Sequence, residues 1–171
     1  MIALQIELRE NAVTNSNQSG HAPKRFLFVC VENSNRSQMA EAFAKIHGKE
    51  GFEAYSAGSR PSGRVNPKAI ESMSELGYDL SQHQSKSLSG IPNVEYDFAI
   101  TMGCGDECPF VRAKTREDWN IPDPKEMPPD EFRNVRNLIE SRVKEILSRD
   151  RVSDGSSIRI VVPPPDQDGM P

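Results

Sequence analysis

The chain of 171 residues has room for one domain of ordinary size and little else. Hydrophobic residues make up only 36 %, and the net charge of −4 speaks against a nucleic-acid-binding face, which needs clustered basic residues. No apolar run approaches a membrane span, and no basic stretch followed by an apolar one opens the chain, so the expectation is a soluble, cytoplasmic monomer without a membrane partner. The apolar shortfall is concentrated at the ends. Residues 1–24 and 149–171 are read as a largely disordered extension and tail, and residues 25–148 as the folded domain. The leading IALQIEL has the composition of an edge strand. Three cysteines form an odd count, which disfavours a disulfide framework and leaves reactive or metal-binding thiols.

Taken in order, RFLFV at residues 25–29 is a short apolar run of the kind a buried parallel strand shows, ending at Cys30. From Ser37 to Gly48, the residues Met39, Ala40, Phe43 and Ile46 recur at helical spacing, with Ser37 as the capping type and Gly48 at the C-terminal end. Phe52–Ala57 reads as a second strand. Asn66–Gly77 reads as a second helix, with Pro67 in its first turn and Gly77 at its end. The Ser- and Gln-rich segment Asp79–Val94 is loop or irregular helix, and Tyr96–Met102 is a third strand. A fourth strand is expected around Asp118–Ile121, stopped by Pro122. Asp130–Leu147 forms the closing helix, with Phe132, Val135, Leu138, Ile139, Val143 and Ile146 on one face.

Strands alternating with helices imply right-handed crossovers and a parallel sheet covered on both faces. Four strands give the order 2-1-3-4 of a small flavodoxin-like α/β fold. Its ligand crevice lies beyond the carboxyl ends of strands 1 and 3. Cys30 follows strand 1 and Cys104 follows strand 3, so two thiols border one crevice.

The segment Cys30-Val31-Glu32-Asn33-Ser34-Asn35-Arg36-Ser37 carries the clearest chemical signal. A loop of this length before a helix N-terminus can aim successive backbone N–H groups at an oxyanion. Arg36 adds a planar fork of donors suited to phosphate or arsenate. The same positive surroundings favour thiolate at Cys30, and the Ser37 hydroxyl can donate to that sulfur. The bland alternative is a buried cysteine ending a strand and a solvated arginine starting a helix. The strand before, the helix after and the polar loop between favour the chemical reading.

RFLFVCVENSNRSQMAEAFAKIHG resembles the signature of the low-molecular-weight protein tyrosine phosphatases and of the arsenate reductases that share their fold. The resemblance continues through EAYSAGSRPSGRVNPKAI, YDLSQHQSKSL, YDFAITMGCGDECP and REDWNIPDPK. It implies that Cys30 is the nucleophile, Arg36 the anion-binding arginine, Asn33 a loop-ordering residue and Ser37 a thiolate stabiliser. It also implies an Asp-Pro general acid, matched by Asp123-Pro124. On position alone Asp123 lies past the fourth strand on the same sheet edge as Cys30, where it could protonate a leaving oxygen. Asp118 and Asp130 are read as capping carboxylates and Trp119 as core.

Cys104 and Cys108 separate the two chemistries of that family. A phosphatase needs one cysteine, whereas reducing arsenate takes two electrons from thiols. In the reductases that the sequence resembles, a second cysteine attacks the nucleophile's sulfur and a third takes over the disulfide. Cys104 suits the second role and Cys108 the third. On one helical turn, residues at this spacing lie about 6 Å apart, within disulfide reach. The two are closer together than in the usual thioredoxin-coupled reductases, so a low-molecular-weight thiol could complete the cycle. Inert thiols, a resting disulfide, or a zinc site with Cys30 and His83 are the competing readings.

Two further departures stand out. Lys125-Glu126-Met127 follows the Asp-Pro where the phosphatases place aromatic residues. Some reductases bind potassium near the loop. Glu41 and Ser56 match its ligands, but Lys86 stands in place of an acidic one, so an ammonium group is expected instead of a metal. The leading expectation is an arsenate reductase with no bound cofactor, using thioredoxin, glutaredoxin or a low-molecular-weight thiol as reductant. A phosphatase acting on phosphotyrosine or aryl phosphates is the alternative, and an oxyanion or redox sensor with the tails as binding arms is the third.

Overall fold

The computed structural model describes residues 22–48, 50–103 and 110–153. Its elements run β1 (Lys24–Cys30), α1 (Arg36–His47), β2 (Phe52–Gly58), α2 (Pro67–Ser74), β3 (Tyr96–Thr101), β4 (Ala113–Asp118) and α3 (Pro129–Ser153). The strands form one parallel sheet in the order β2-β1-β3-β4. The register pairs Cys30 with Gly58, Val29 with Thr101 and Thr101 with Asp118, so the carboxyl ends of all four strands finish along one edge. The order reverses between β1 and β3, which places the crevice directly after Cys30.

Alternation along β1 divides the core. Phe26, Phe28 and Cys30 face a large cluster with Met39 and Phe43 of α1, Met73 of α2, and Phe132, Ile139, Val143 and Ile146 of α3. Leu27 and Val29 face the other way, toward Ala57 and Tyr96. On that side the covering among the described residues comes from Leu88, Ile91, Val94 and Val111 rather than from an α-helix. Leu88–Gly90 makes a single 3-10 turn there, and Leu80–Gln82 makes another against α2. The Ser-rich sequence and Pro92 give this stretch no helical periodicity to propagate. None of the described helices is long and apolar enough to cross a membrane.

Several points differ from the sequence reading. β4 occupies Ala113–Asp118 instead of 118–121. It is an edge strand whose Lys114, Thr115 and Arg116 face solvent, the charged pattern that blocks edge-to-edge pairing, so it carries no apolar run to read. Helix α1 begins at Arg36 with Asn35 in the capping position, and the Ser37 hydroxyl serves the site instead of a cap. Helix α2 ends at Ser74, short of Gly77, with Asn66 accepting from the Lys68 N–H at its start. Leu138 is 40 % exposed, one position off the buried stripe of α3, and Ile46 is 42 % exposed on α1. The N-terminal IALQIEL lies outside the described residues.

Candidate active site

The loop between β1 and α1 has its carbonyl groups turned outward and satisfied one after another. Cys30 O accepts from the Ser59 N–H (3.2 Å), Val31 O from Arg60 (2.9 Å), Glu32 O from Ser62 (3.0 Å), and Ser34 O from Asn66 (3.0 Å). Asn33 O accepts from Gln38 Nε2 (3.1 Å), and Asn35 O from the Met39 N–H (3.0 Å). In a trans peptide the N–H lies opposite the C=O, so outward carbonyls turn the following amides toward the concave side. That concavity, at the N-terminus of α1, has the form of a nest that can receive an anion.

Gly58 makes this packing possible. A Cβ there would stand 2.6 Å from Val31 O and 2.9 Å from Asn33 N, both backbone atoms, so only glycine lets the end of β2 pass so close. Asn33 takes a positive φ of 47°, a left-handed conformation that asparagine tolerates better than most residues.

Side chains then fix the interior in one hydrogen-bond polarity. Asn33 Nδ2 donates to Ser37 Oγ (2.8 Å) and to Ser56 Oγ (2.9 Å). Ser37, having accepted, keeps its own proton for the Cys30 sulfur at 2.9 Å. Asn33 Oδ1 accepts from Gln38 Nε2 (2.9 Å) and from the Lys86 N–H (2.8 Å). Gln38 Oε1 therefore accepts from His83 Nδ1 (2.9 Å), which leaves His83 Nε2 to accept from Tyr78 (2.9 Å). Burial pushes the His83 imidazole below its ordinary pKa, in keeping with this neutral tautomer. Cys30, Asn33, Ser37 and Gln38 are all buried.

Arg36 is buried too, at 6 % exposure. Its Nη1 donates to Met102 O (2.8 Å) and Ile121 O (3.1 Å), while Nη2 reaches Asp123 Oδ2 at 3.3 Å. Gly103, with a φ of 67°, abuts this guanidinium; a Cβ would come within 3.2 Å of Nη1. Asp123 is half-exposed, and its Oδ1 accepts the Lys125 N–H at 3.2 Å. The structure thus gathers Cys30, Val31, Glu32, Asn33, Ser34, Asn35, Arg36, Ser37 and Asp123 at one edge of the sheet. Cys104 and Cys108 lie outside the described residues, and with them the expected relay geometry.

Glu41 holds the position read as a potassium ligand. Its carboxylate accepts from Lys45 (2.6 Å) and Ser56 (2.5 Å), and Lys86 Nζ lies 3.5 Å away. Burial pushes this carboxyl up, but Lys45, Ser56 and Lys86 outweigh it and leave the pKa below the usual value. With two ammonium groups already facing one carboxylate, the donor set does not suit a further cation. Among the described residues no group of three or more His, Cys, Asp or Glu is arranged to hold a metal ion.

Trp119 is core, its indole tilted against Phe28 at 6.0 Å. Asp118 accepts from Thr101 Oγ1 (2.5 Å) across the sheet instead of capping a helix, and Asp130 sits in the first turn of α3, paired with Arg133. The sequence reading missed Gly58, the close approach of Gly103 to Arg36 and the positioning role of Gln38. Only the small size of the glycines hinted at close backbone approach, and nothing in the sequence alone marked Gln38.

A parallel four-stranded fold with an oxyanion loop beginning at a cysteine defines a class of thiol-based anion-processing proteins. The chain belongs to the low molecular weight phosphotyrosine protein phosphatase family, whose model matches residues 25–155. It is 38 % identical over 129 residues to a glutaredoxin arsenate reductase of Synechocystis sp. (strain PCC 6803), covering 74 % of this chain and 98 % of that protein. It is 38 % identical over 130 residues to an arsenate reductase of Staphylococcus aureus (strain bovine RF122), again covering 74 % and 98 %. Among solved structures, an arsenate reductase in the phosphate-binding state superposes with a TM-score of 0.66 at 37 % identity, covering 74 % of this chain and 98 % of that one.

Proposed function

We propose that the protein is a thiol-dependent arsenate reductase, with the hydrogen bond from Ser37 to the Cys30 sulfur, at the start of the loop that ends in the buried Arg36, as the observation that carries the reading. The loop amides and Arg36 hold the oxyanion. Cys30 attacks arsenic as a thiolate, and Asp123 protonates the departing oxygen, which leaves as water. The Cys104 thiolate then attacks Cys30 Sγ and the sulfur–arsenic bond breaks. Its electron pair stays on arsenic, which departs as arsenite, while a Cys30–Cys104 disulfide forms. Cys108 or an external thiol resolves that disulfide, so the two electrons come from two thiols and return from the donor pool.

Three observations support reduction over hydrolysis. Cys104 is bonded to Gly103, the glycine that abuts Arg36. Cys108 follows four residues later. Lys125-Glu126-Met127, and no aromatic residue, comes directly after Asp123-Pro124 where a phenyl ring would be gripped. The names of the relatives agree, one of them a glutaredoxin arsenate reductase. A thiol cycle of this kind belongs in a reducing compartment such as the cytoplasm.

The test is arsenite release by the wild type with glutaredoxin, thioredoxin or a low-molecular-weight thiol, beside Cys30→Ser, Cys104→Ser and Cys108→Ser. Cys30→Ser is expected to abolish turnover with every donor. Undiminished turnover by Cys104→Ser would remove the internal relay. Hydrolysis of an aryl phosphate at higher catalytic efficiency than arsenate reduction would return the chain to the phosphatase reading.

A further inference from the structure

Two charged side chains beside the anion loop have no task in that chemistry. Glu32 places a carboxylate within a loop built to receive an anion. Lys125 lies two residues beyond Asp123. Their Nζ and Oε1 atoms are 2.8 Å apart. The hydrogen bond from Lys125 holds the Glu32 carboxyl below its usual pKa, and the same bond raises that of Lys125.

The pair closes a ring. From Glu32 the chain runs through Asn33, Ser34 and Asn35 to Arg36, whose Nη2 reaches Asp123 Oδ2 at 3.3 Å. Two residues on, Lys125 returns to Glu32. Side-chain exposure is 7 % at Arg36, 37 % at Glu32, 47 % at Lys125 and 51 % at Asp123, so the guanidinium is the floor of the ring and the ion pair lies at its rim. The backbone beneath Lys125 is pinned separately. Lys68 Nζ donates to Lys125 O (3.0 Å) and Met127 O (3.1 Å), and the Met127 N–H donates to Pro124 O (3.0 Å). Only the Lys125 side chain has to swing for the ring to open.

The geometry points to the Glu32–Lys125 pair as a specificity-determining latch that admits a free tetrahedral oxyanion and disfavours a phosphate ester with a bulky leaving group. The inference rests on the reading of Asp123 as the acid toward which the leaving oxygen faces. In arsenate that oxygen carries no organic substituent. In an aryl phosphate it carries the ring, which has to pass where Lys125 meets Glu32, so the pair must part. Because the two charges are also mutually neutralised, the carboxylate does not repel the anion while the latch is shut.

The experiment compares kcat/KM for p-nitrophenyl phosphate with the inhibition constant of inorganic phosphate. Neither readout involves arsenate reduction, so failure of the proposed reaction and failure of the latch are distinguishable. The charge-neutral double variant E32A/K125A is expected to raise aryl phosphate efficiency about fivefold, the scale of one exposed ion pair, with phosphate inhibition changed less than about twofold. The reversed pair E32K/K125E is expected to restore the wild-type ratio. Raising salt toward 1 M, where screening acts within about 3 Å, moves the wild type toward the double variant without any mutation. An unchanged ratio in E32A/K125A, a parallel loss of both readouts, a reversed pair that fails to restore the ratio, or a wild-type ratio indifferent to salt would each overturn the latch.

Discussion

The loop from Cys30 to Ser37 and the turn from Asp123 to Met127 border the same crevice, yet they are held there by different forces. From Asn33 onward the loop is buried, and its peptide carbonyls are engaged by neutral donors, among them amides of residues 59–66, the Gln38 side chain and the Ser85 hydroxyl. In low dielectric such a network admits one arrangement, since a lost partner leaves a buried polar group stranded. The turn is largely exposed and tied down by side chains that water and salt can reach, Lys68 and Lys125 with Glu32, while Asp123 meets the buried Arg36. The contrast matches the work proposed for each half. A nucleophile and its anion cradle need fixed geometry, whereas an acid has to follow a departing oxygen and let water in and out.

The sharpest way to break that contrast is Asp123→Asn. As the general acid, Asp123 should account for about 10²–10⁴-fold in turnover. As a half-exposed side chain on a surface turn, it should change unfolding free energy by no more than about 0.5 kcal/mol. Arsenite release and urea midpoints measured on one preparation check both numbers, and a matching loss of stability would show the turn to be structural. Gly58→Ala probes the other half. The added Cβ collides with loop backbone that cannot swing aside, so a cost of about 1–3 kcal/mol in stability is expected. A displaced loop should also lower turnover about 10²-fold, the scale of a 1 Å misplacement. Loss of activity alone would mean that the loop is less tightly determined than its hydrogen bonds indicate.

The same division governs what could be read from the sequence. Strand β1, helix α1 and the loop between them are legible because a buried element, a helical repeat and a chemically specific loop each leave a periodic or compositional trace. Strand β4 leaves no such trace: Lys114, Arg116 and Glu117 are chosen for an exposed edge, so apolar periodicity points instead to Trp119 and Ile121, just past its end. The links that Gln38 makes to His83 and Asn33 are invisible for another reason. They join residues 45 and 5 positions apart through side-chain amides, and no local rule records which long-range partner an amide will find. Glu32 and Lys125, 93 positions apart, belong to the same category, since each alone reads as a solvated charge.

The smallest expected effect concerns the outer end of the buried network. Burial keeps His83 neutral in the fold, where its Nδ1–H donates to Gln38 and its Nε2 accepts from Tyr78. Burial, reinforced by Lys45 and Lys86, lowers its pKa and outweighs the upward pull of Glu41 and Asp79. In the unfolded chain a histidine takes up a proton near pH 6.5. Below that pH the unfolded state binds a proton that the native state refuses, so stability is full above about pH 6.5 and falls as the pH drops toward the lower native value. The carboxylates held below their usual values, among them Glu41 and Glu75 (the latter at about 2, under Arg133 and Arg136), lose their contribution only at more acid pH, so the two windows separate. Urea unfolding at pH 7.5 and 5.5 should show the wild type losing stability across this interval, and His83→Gln losing less. Turnover at pH 7.5 should change little in that variant if the glutamine still donates to Gln38 Oε1. A His83→Phe variant cannot donate there, and comparing the two isolates what the hydrogen bond contributes to holding Asn33, and through it Ser37, against the sulfur.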